Sequence, residues 1–289
     1  MQFDDILTNC LLNSFLTIVV IVKKIKAKKR NSRIKGHTLS LKSQNALLKE
    51  LSHQLKSDIT NATRQTEAYI NLQVYLNGGH LLPSMHGWPI SPDFGCLLLQ
   101  RLMSMPYDLI IEFGSGTSTI LIAEYLKRSF SDKENQPQKK KYIAFEHLNN
   151  FLEETKVHLI SRHLLEFVDL QEAKLKSGSF HNDTYNFYDC EENLTRLAEG
   201  LPEKARILVL VDGPPQVTCH HARFPAFPVI TNTFKNTQID FLLDDYIRED
   251  EQEIAKKWES IAEESQWQFS ATRYKLEKDA YLMQLVKLK

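Results

Sequence analysis

Three groups of residues in this chain have the types and spacing to do chemistry. In the run Asp108-Leu109-Ile110-Ile111-Glu112-Phe113-Gly114-Ser115-Gly116-Thr117-Ser118-Thr119, a short apolar strand ends in an acid, a glycine-bearing turn and a helix start. Gly114 and Gly116 open backbone angles closed to other residues and let the chain approach a ligand closely. A Glu112 carboxylate aimed at the helix N-terminus would repel a pyrophosphate, so this turn suits a ligand with a positive charge and hydroxyls rather than a dinucleotide. The second group is Glu146, which ends Tyr142-Ile143-Ala144-Phe145-Glu146 where a nucleoside site wants a carboxylate for both ribose hydroxyls. Its distance from the glycine turn exceeds the usual spacing of about 20 residues, and the polar, lysine-rich insertion at 131–141 accounts for the excess. The plain alternative for Glu146 is an acid that interacts with the dipole of the next helix.

The third group lies further along the chain. Asp212 follows the apolar run 207–211, and Asp244 and Asp245 follow 239–243. Three carboxylates at neighbouring strand ends repel one another unless something positive sits between them. Hard divalent cations, Mg2+ in particular, take such oxygens and acidify a substrate hydroxyl. The alternative is structural: one aspartate caps a helix while another pairs with Arg248 or Arg223. His220, His221 and Arg223 follow Pro214-Pro215 in a loop over these strand ends. A histidine there is a candidate general base, and the arginine a partner for an acceptor carboxylate or phosphate; a loop histidine is more often a surface residue. Trp88, Tyr185, Phe187 and Tyr188 either stack on a sugar or anchor their loops to the core.

The elements that must position these residues are legible in the apolar pattern. Strand-length runs at 107–113, 142–145, 167–170, 207–211 and 239–243 alternate with helical patterns at 93–105, 118–128, 149–164 and 191–198. Near-continuous apolar strands between helices predict an α/β fold with a mostly parallel sheet covered on both faces. Ser91 is the predicted N-cap of helix 93–105, with Pro92 in its first turn. Runs 267–273 and 280–288 predict an antiparallel edge hairpin. With 289 residues and 42% hydrophobic content, the chain can bury one substantial core. Lys plus Arg equals Asp plus Glu at 36 each, so no whole-chain field favours nucleic acid. Cys10, Cys96, Cys190 and Cys219 show no metal-ligand or disulfide-framework spacing, which fits a reducing compartment.

The first third of the chain differs in kind. Residues 6–22 are largely apolar and precede Lys23, Lys24, Lys26, Lys28, Lys29 and Arg30. A spanning helix needs about 20 apolar residues and at least about 17. Residues 1–30 are therefore a candidate membrane anchor with a basic flank, which would leave the rest of the chain in the cytoplasm; the alternative is an amphipathic helix packed on its own domain or a partner. Residues 31–79 predict a helical stalk or lid; Leu48, Leu51 and Leu55 fit a/d spacing while Gln44, Asp58 and Gln65 occupy other a/d positions, against a sustained coiled coil, and 39–75 is a candidate surface for a homo-oligomer. Turn-rich 80–92 marks the entrance to a domain at 80–289.

Taken together, these segments resemble class I S-adenosylmethionine (SAM)-dependent methyltransferases, whose first motif is an acid followed by GxGxG; here Ser118 stands at the third glycine. The resemblance implies a Rossmann-like methyltransferase fold with an N-terminal helical extension. It implies a SAM site made by Glu112, Gly114, Ser115, Gly116, Ser118, Glu146 and Asp212, with Ala173 after the third strand facing adenine. Asp212 with Asp244-Asp245-Tyr246 is similar to the metal site of catechol-type and macrolide-sugar O-methyltransferases, which implies Mg2+ on Asp212, Asp244 and Asp245. More broadly, Gly87-Trp88-Pro89-Ile90-Ser91-Pro92-Asp93-Phe94, Val211-Asp212-Gly213-Pro214-Pro215, Arg223-Phe224-Pro225-Ala226 and Asp244-Asp245-Tyr246-Ile247-Arg248 resemble a bacterial group associated with cell-surface polysaccharide genes. The implied reaction is O-methylation of a sugar or other hydroxylated acceptor, with Asp212, His221 and Arg223 as catalytic residues. The alternatives are a non-catalytic scaffold of the same fold in a membrane-bound polysaccharide assembly complex, and an NAD-dependent oxidoreductase, which Glu112 and the missing third glycine disfavour.

Overall fold

The computed structural model describes residues 2–76, 80–85, 87–131, 141–180, 183–202, 204–265 and 267–287, without the side chains of 2–21, 31–42 and 130–131. Helix α1 runs Gln2–Leu76. The chain divides into two compact units, Met1–Ala62 and Thr63–Lys289. In the first, Leu47, Leu48, Leu51, Leu55 and Ile59 are all exposed. Among the described residues no helix is long and apolar enough to cross a membrane. Apart from Val22, the apolar side chains of 6–22 lie outside the described residues.

In the second unit a seven-stranded sheet forms the middle layer. Its elements are α2 (Pro92–Ser104), β1 (Leu109–Phe113), α3 (Thr117–Ser131), β2 (Lys141–Glu146), α4 (Asn149–Ser161), β3 (Asp169–Glu172), β4 (Leu175–Phe180), β5 (Asp183–Tyr188), α5 (Glu191–Glu199), β6 (Arg206–Val211), α6 (Ala226–Thr233), β7 (Gln238–Leu243), α7 (Glu249–Glu264), β8 (Trp267–Tyr274) and β9 (Ala280–Lys287). Sheet order is β3-β2-β1-β6-β7-β9-β8. The first five strands are parallel, and β9 and β8 close the edge antiparallel. The predicted parallel sheet and edge hairpin are therefore present.

Alternation along the strands divides the core in two. Leu109, Ile111 and Phe113 face a cluster with Leu194, Phe227, Ile254 and Trp258 from α5, α6 and α7. Ile110 faces the other cluster, with Leu98, Leu102, Leu121 and Leu126 from α2 and α3. Leu72 and Leu76, from the end of α1, pack into that second cluster. Gln65 secures the same stretch: its Nε2 donates to Asp93 Oδ2 at 2.7 Å, and its Oε1 accepts the Asp93 N–H at 3.3 Å.

Several elements depart from the sequence reading. The third strand begins at Asp169, because Leu165–Phe167 form a 3-10 turn, and α4 ends at Ser161. The pair β4–β5 was not anticipated, nor were α6 and α7. Ser91 does hold the N-cap position of α2, but its hydroxyl donates to Asp93 Oδ1 at 2.7 Å, and that same oxygen accepts the Phe94 N–H at 3.0 Å.

Candidate active site

Between β1 and β6 the strand order reverses, and ligands of open α/β sheets bind beyond the carboxyl ends of strands at such a point. A cavity of about 550 Å³ opens there, in the range of small-molecule sites. One wall is the turn Gly114-Ser115-Gly116 after β1 with Glu146 after β2, and the other carries Asp212, Arg223 and Asp245. Gly114 has φ +98°, and a Cβ there would lie 3.2 Å from the Gly213 nitrogen. The turns after β1 and β6 therefore meet backbone to backbone, which only glycine allows.

On the glycine wall the acids are satisfied by the chain itself. Glu146 accepts the backbone N–H groups of Ser115 at 3.0 Å, His147 at 2.8 Å and Leu148 at 2.9 Å. Burial alone would raise its pKa, but bonds from His147, Leu148 and Ser115 bring it below the ordinary value. It thus ties the glycine turn to the start of α4, the dipole-partner role, while lining the cavity. Glu112 lies deeper. Strand alternation sends it under the first turn of α3, where it is fully buried and accepts hydrogen bonds from Ser118, from Tyr142 and from Thr119, the last at 2.8 Å. Burial, opposed by these hydroxyls, pushes its pKa to about 7. Glu112 is not a lining residue, although Ser118 does line the cavity. Ala173 is also buried away from the cavity, its N–H donating to the Glu146 carbonyl at 2.8 Å.

Part of the rest of this wall comes from residues that the sequence reading missed. Leu148, Phe151, Thr155 and His158 of the α4 region line the cavity, and Trp88 stacks on Phe151 with ring centroids 5.9 Å apart. Phe151, Thr155 and His158 recur at helical spacing, a signal that periodicity carries but function does not mark. Trp88 is 66% exposed at the rim, whereas Tyr185 and Phe187 are buried on β5 as core anchors and Tyr188, also buried, lines the cavity.

Arg223 organises the opposite wall. Its guanidinium lies 2.9 Å from Asp245 Oδ2, 3.5 Å from Asp212 Oδ1 and 3.5 Å from Glu251 Oε1, and it donates to the Asp244 carbonyl at 3.0 Å. Arg248 adds a second contact to Asp245 at 3.0 Å, and Lys278 a third at 3.8 Å. The expected pairing of an aspartate with Arg223 or Arg248 is present, and Arg223 spends its donors on the chain's own acids rather than on an acceptor. Four carboxylates (Asp212, Asp244, Asp245 and Glu251) thus face three cations. The remainder falls on Asp244, fully buried with neither carboxylate oxygen hydrogen-bonded. Burial, reinforced by Asp212 and Asp245, drives its pKa well above the ordinary range. Asp212 is also raised, by burial first, with Arg223 opposing.

Oxygens of Asp212, Asp244 and Asp245 converge within 4.8 Å. Asp244 and Asp212 fit a hard divalent cation, whereas Asp245 is committed to three side-chain cations. His221 departs most from its predicted role: it is buried outside the cavity lining, and its Nε2 lies 2.7 Å from Glu253 Oε2.

No protein-family model matches this chain, and no curated protein matches it. Among solved structures, similar ones include an O-methyltransferase from Bacillus cereus in complex with SAH, at 16% identity over 76% of this chain and 91% of that one, TM-score 0.48. The O-methyltransferase TomG from Streptomyces achromogenes, involved in tomaymycin synthesis and in complex with SAM, is 13% identical over 77% and 90%, TM-score 0.48. An SAH-bound methyltransferase from Podospora anserina is 12% identical over 81% and 95%, TM-score 0.46. The fold is Rossmann-like, defined by its own strand order: five parallel strands reversing between β1 and β6, closed by an antiparallel hairpin.

Proposed function

We propose that this protein is a SAM-dependent methyltransferase acting on a hydroxyl of a small, polyhydroxylated acceptor such as a sugar. One observation carries the reading: a single cavity joins a backbone-clamped glycine turn on one wall to Asp212 and Asp245 of an aspartate cluster on the other. SAM, when bound, supplies a methyl on a positively charged sulfur for in-line transfer to oxygen.

The chain's own residues then have distinct tasks. Gly114 and Gly116 admit the cofactor close to the backbone, Glu146 holds that turn in place, and Trp88 with Phe151 offers a flat apolar surface at the rim. Asp212 Oδ takes the proton of the acceptor hydroxyl as the new C–O bond forms and the S–C bond breaks. Its raised pKa makes it a better base than an ordinary aspartate. Arg223 holds Asp212 beside Asp245. Mg2+ is the cation that Asp212 and Asp244 would hold, and its chemistry there would be to acidify the hydroxyl.

Titration calorimetry with SAM and with S-adenosylhomocysteine, with and without Mg2+, tests the reading. Expected is one site per chain, with Asp212→Asn keeping cofactor affinity while lowering turnover about 10²–10⁴-fold. Absence of binding under both conditions would sink it. Exposed Leu48, Leu51 and Leu55 on α1 favour a second property, self-association, which light scattering of the full chain against Leu51→Lys tests. Binding of neither cofactor together with intact self-association would favour the scaffold alternative.

A further inference from the structure

Outside the cavity lining, just before Arg223 in the chain, a second group of metal-ligating side chains converges. Nε2 of His220 lies 3.3 Å from Asp250 Oδ1 and 3.9 Å from Glu253 Oε2. Nε2 of His221 lies 4.0 Å from Asp250 Oδ1 and 2.7 Å from Glu253 Oε2. Ligand atoms of His220, His221 and Asp250 all fall within 4.8 Å of one another. The reaction proposed above uses none of them.

Neighbouring residues in extended chain point to opposite sides. Here His221 takes φ +53°, which puts the two imidazoles on one side with ring centroids 3.7 Å apart. A left-handed conformation is strained at a residue other than glycine. The arrangement suits two ring nitrogens sharing a cation. In a tetrahedral site with bonds of about 2.0–2.1 Å, ligand atoms lie about 3.3 Å apart, and the four distances above straddle that value. Asp250 is fixed from behind, because both its oxygens accept the His221 N–H at 3.2 Å. Carboxylates that ligate metals are commonly held by such outer hydrogen bonds. His220 is exposed, giving an ion a path in from solvent.

We propose that His220, His221, Asp250 and Glu253 form a structural site for a divalent transition-metal ion, Zn2+ foremost, that fastens the Arg223 loop to the first turn of α7. Two imidazoles exclude Mg2+ and Ca2+ as preferred occupants, since those ions take oxygen. The position gives the clamp a purpose. Arg223 follows His221 by two residues, and Glu251, its partner at 3.5 Å, follows Asp250 by one. Closing the clamp therefore holds the buried charge network of the cavity from outside.

Full-length protein, stripped of metal and titrated with Co2+, tests the proposal. Expected is one ion per chain with the visible bands of a four-coordinate site, displaced by Zn2+ and indifferent to Mg2+. His220→Ala, which leaves the buried His221–Glu253 contact in place, should weaken Zn2+ binding at least about tenfold and abolish the rise in Tm that Zn2+ gives the parent protein. Asp244→Asn should retain Zn2+, which separates this site from the cavity aspartates. Zn2+ binding that survives His220→Ala, Zn2+ lost instead in Asp244→Asn, or a parent protein that takes up none at micromolar free Zn2+ overturns the proposal.

Discussion

Glu146 and Asp244 stand at the carboxyl ends of two parallel strands of one sheet, Glu146 lining the cavity and Asp244 buried beside the lining residues Asp212 and Asp245, yet they are held in opposite ways. Glu146 receives three backbone N–H groups, so its charge is stabilised by dipoles that cannot move away. Asp244 receives nothing, and its neighbours Asp212 and Asp245 depend on Arg223, Arg248 and Lys278. The glycine wall is a preformed frame built from backbone. The aspartate wall is a charge balance built from side chains, left one cation short. A frame suits a ligand of constant shape; an unfilled balance suits a proton, an ion or a polar acceptor that arrives to complete it.

Four changes would break or sharpen this contrast. Arg223→Met removes the buried cation from four carboxylates and should cost about 3–5 kcal/mol in urea unfolding; an unchanged midpoint would show that the aspartate wall is not held by charge. Glu112→Gln tests whether the frame also stores an ionisation. The folded-state pKa of Glu112 is about 7 against an ordinary 4.5, so its neutral form favours the fold fully below pH 4.5, and that contribution declines as pH rises to 7. The difference corresponds to about 3 kcal/mol. Relative to the parent, the glutamine variant should therefore gain up to that amount between pH 4.5 and 8; a constant difference across this range would refute the buried ionisation.

Smaller effects follow on the ligand side. Glu146→Gln removes charge-assisted bonds each worth about 1.5–3 kcal/mol, and should raise the Kd for S-adenosylhomocysteine about 10- to 100-fold by calorimetry. Equal affinity would mean that the turn holds its shape without the acid. Trp88→Ala gives the smallest change. Loss of one aromatic face is worth about 0.5–1.5 kcal/mol, a drop in affinity of about two- to tenfold, read by ligand quenching in the remaining tryptophans. Because Trp88 is mostly exposed, its removal should leave stability within about 0.5 kcal/mol.

Much of the sheet was legible because strands covered on both faces must be apolar throughout. Runs 207–211 and 239–243 lie within β6 and β7, each short of the strand by the one polar residue that opens it. The elements that escaped are those whose pattern mixes with polar residues. Helix α7 hides Ile254, Ala255, Trp258 and Ala262 among nine acids and lysines, and β4 buries little. In the same way, spacing identified Glu112, Glu146, Asp212, Asp244 and Asp245 as acids near strand ends, without saying which would reach the cavity.

From the sequence came the five parallel strands, the edge hairpin, the glycine turn and the placing of carboxylates at strand ends, because these follow from local pattern and from the rule that parallel strands open their sites at one end. Only the tertiary structure decided what each acid does. It turned Glu112 under α3, gave Glu146 to the backbone, set Arg223 among the aspartates and moved His221 out of the cavity to meet Asp250 and Glu253. Those outcomes depend on which side chains, distant in the chain, arrive within about 3–4 Å of one another, and at that range the partner's charge and the loss of water decide ionisation and role.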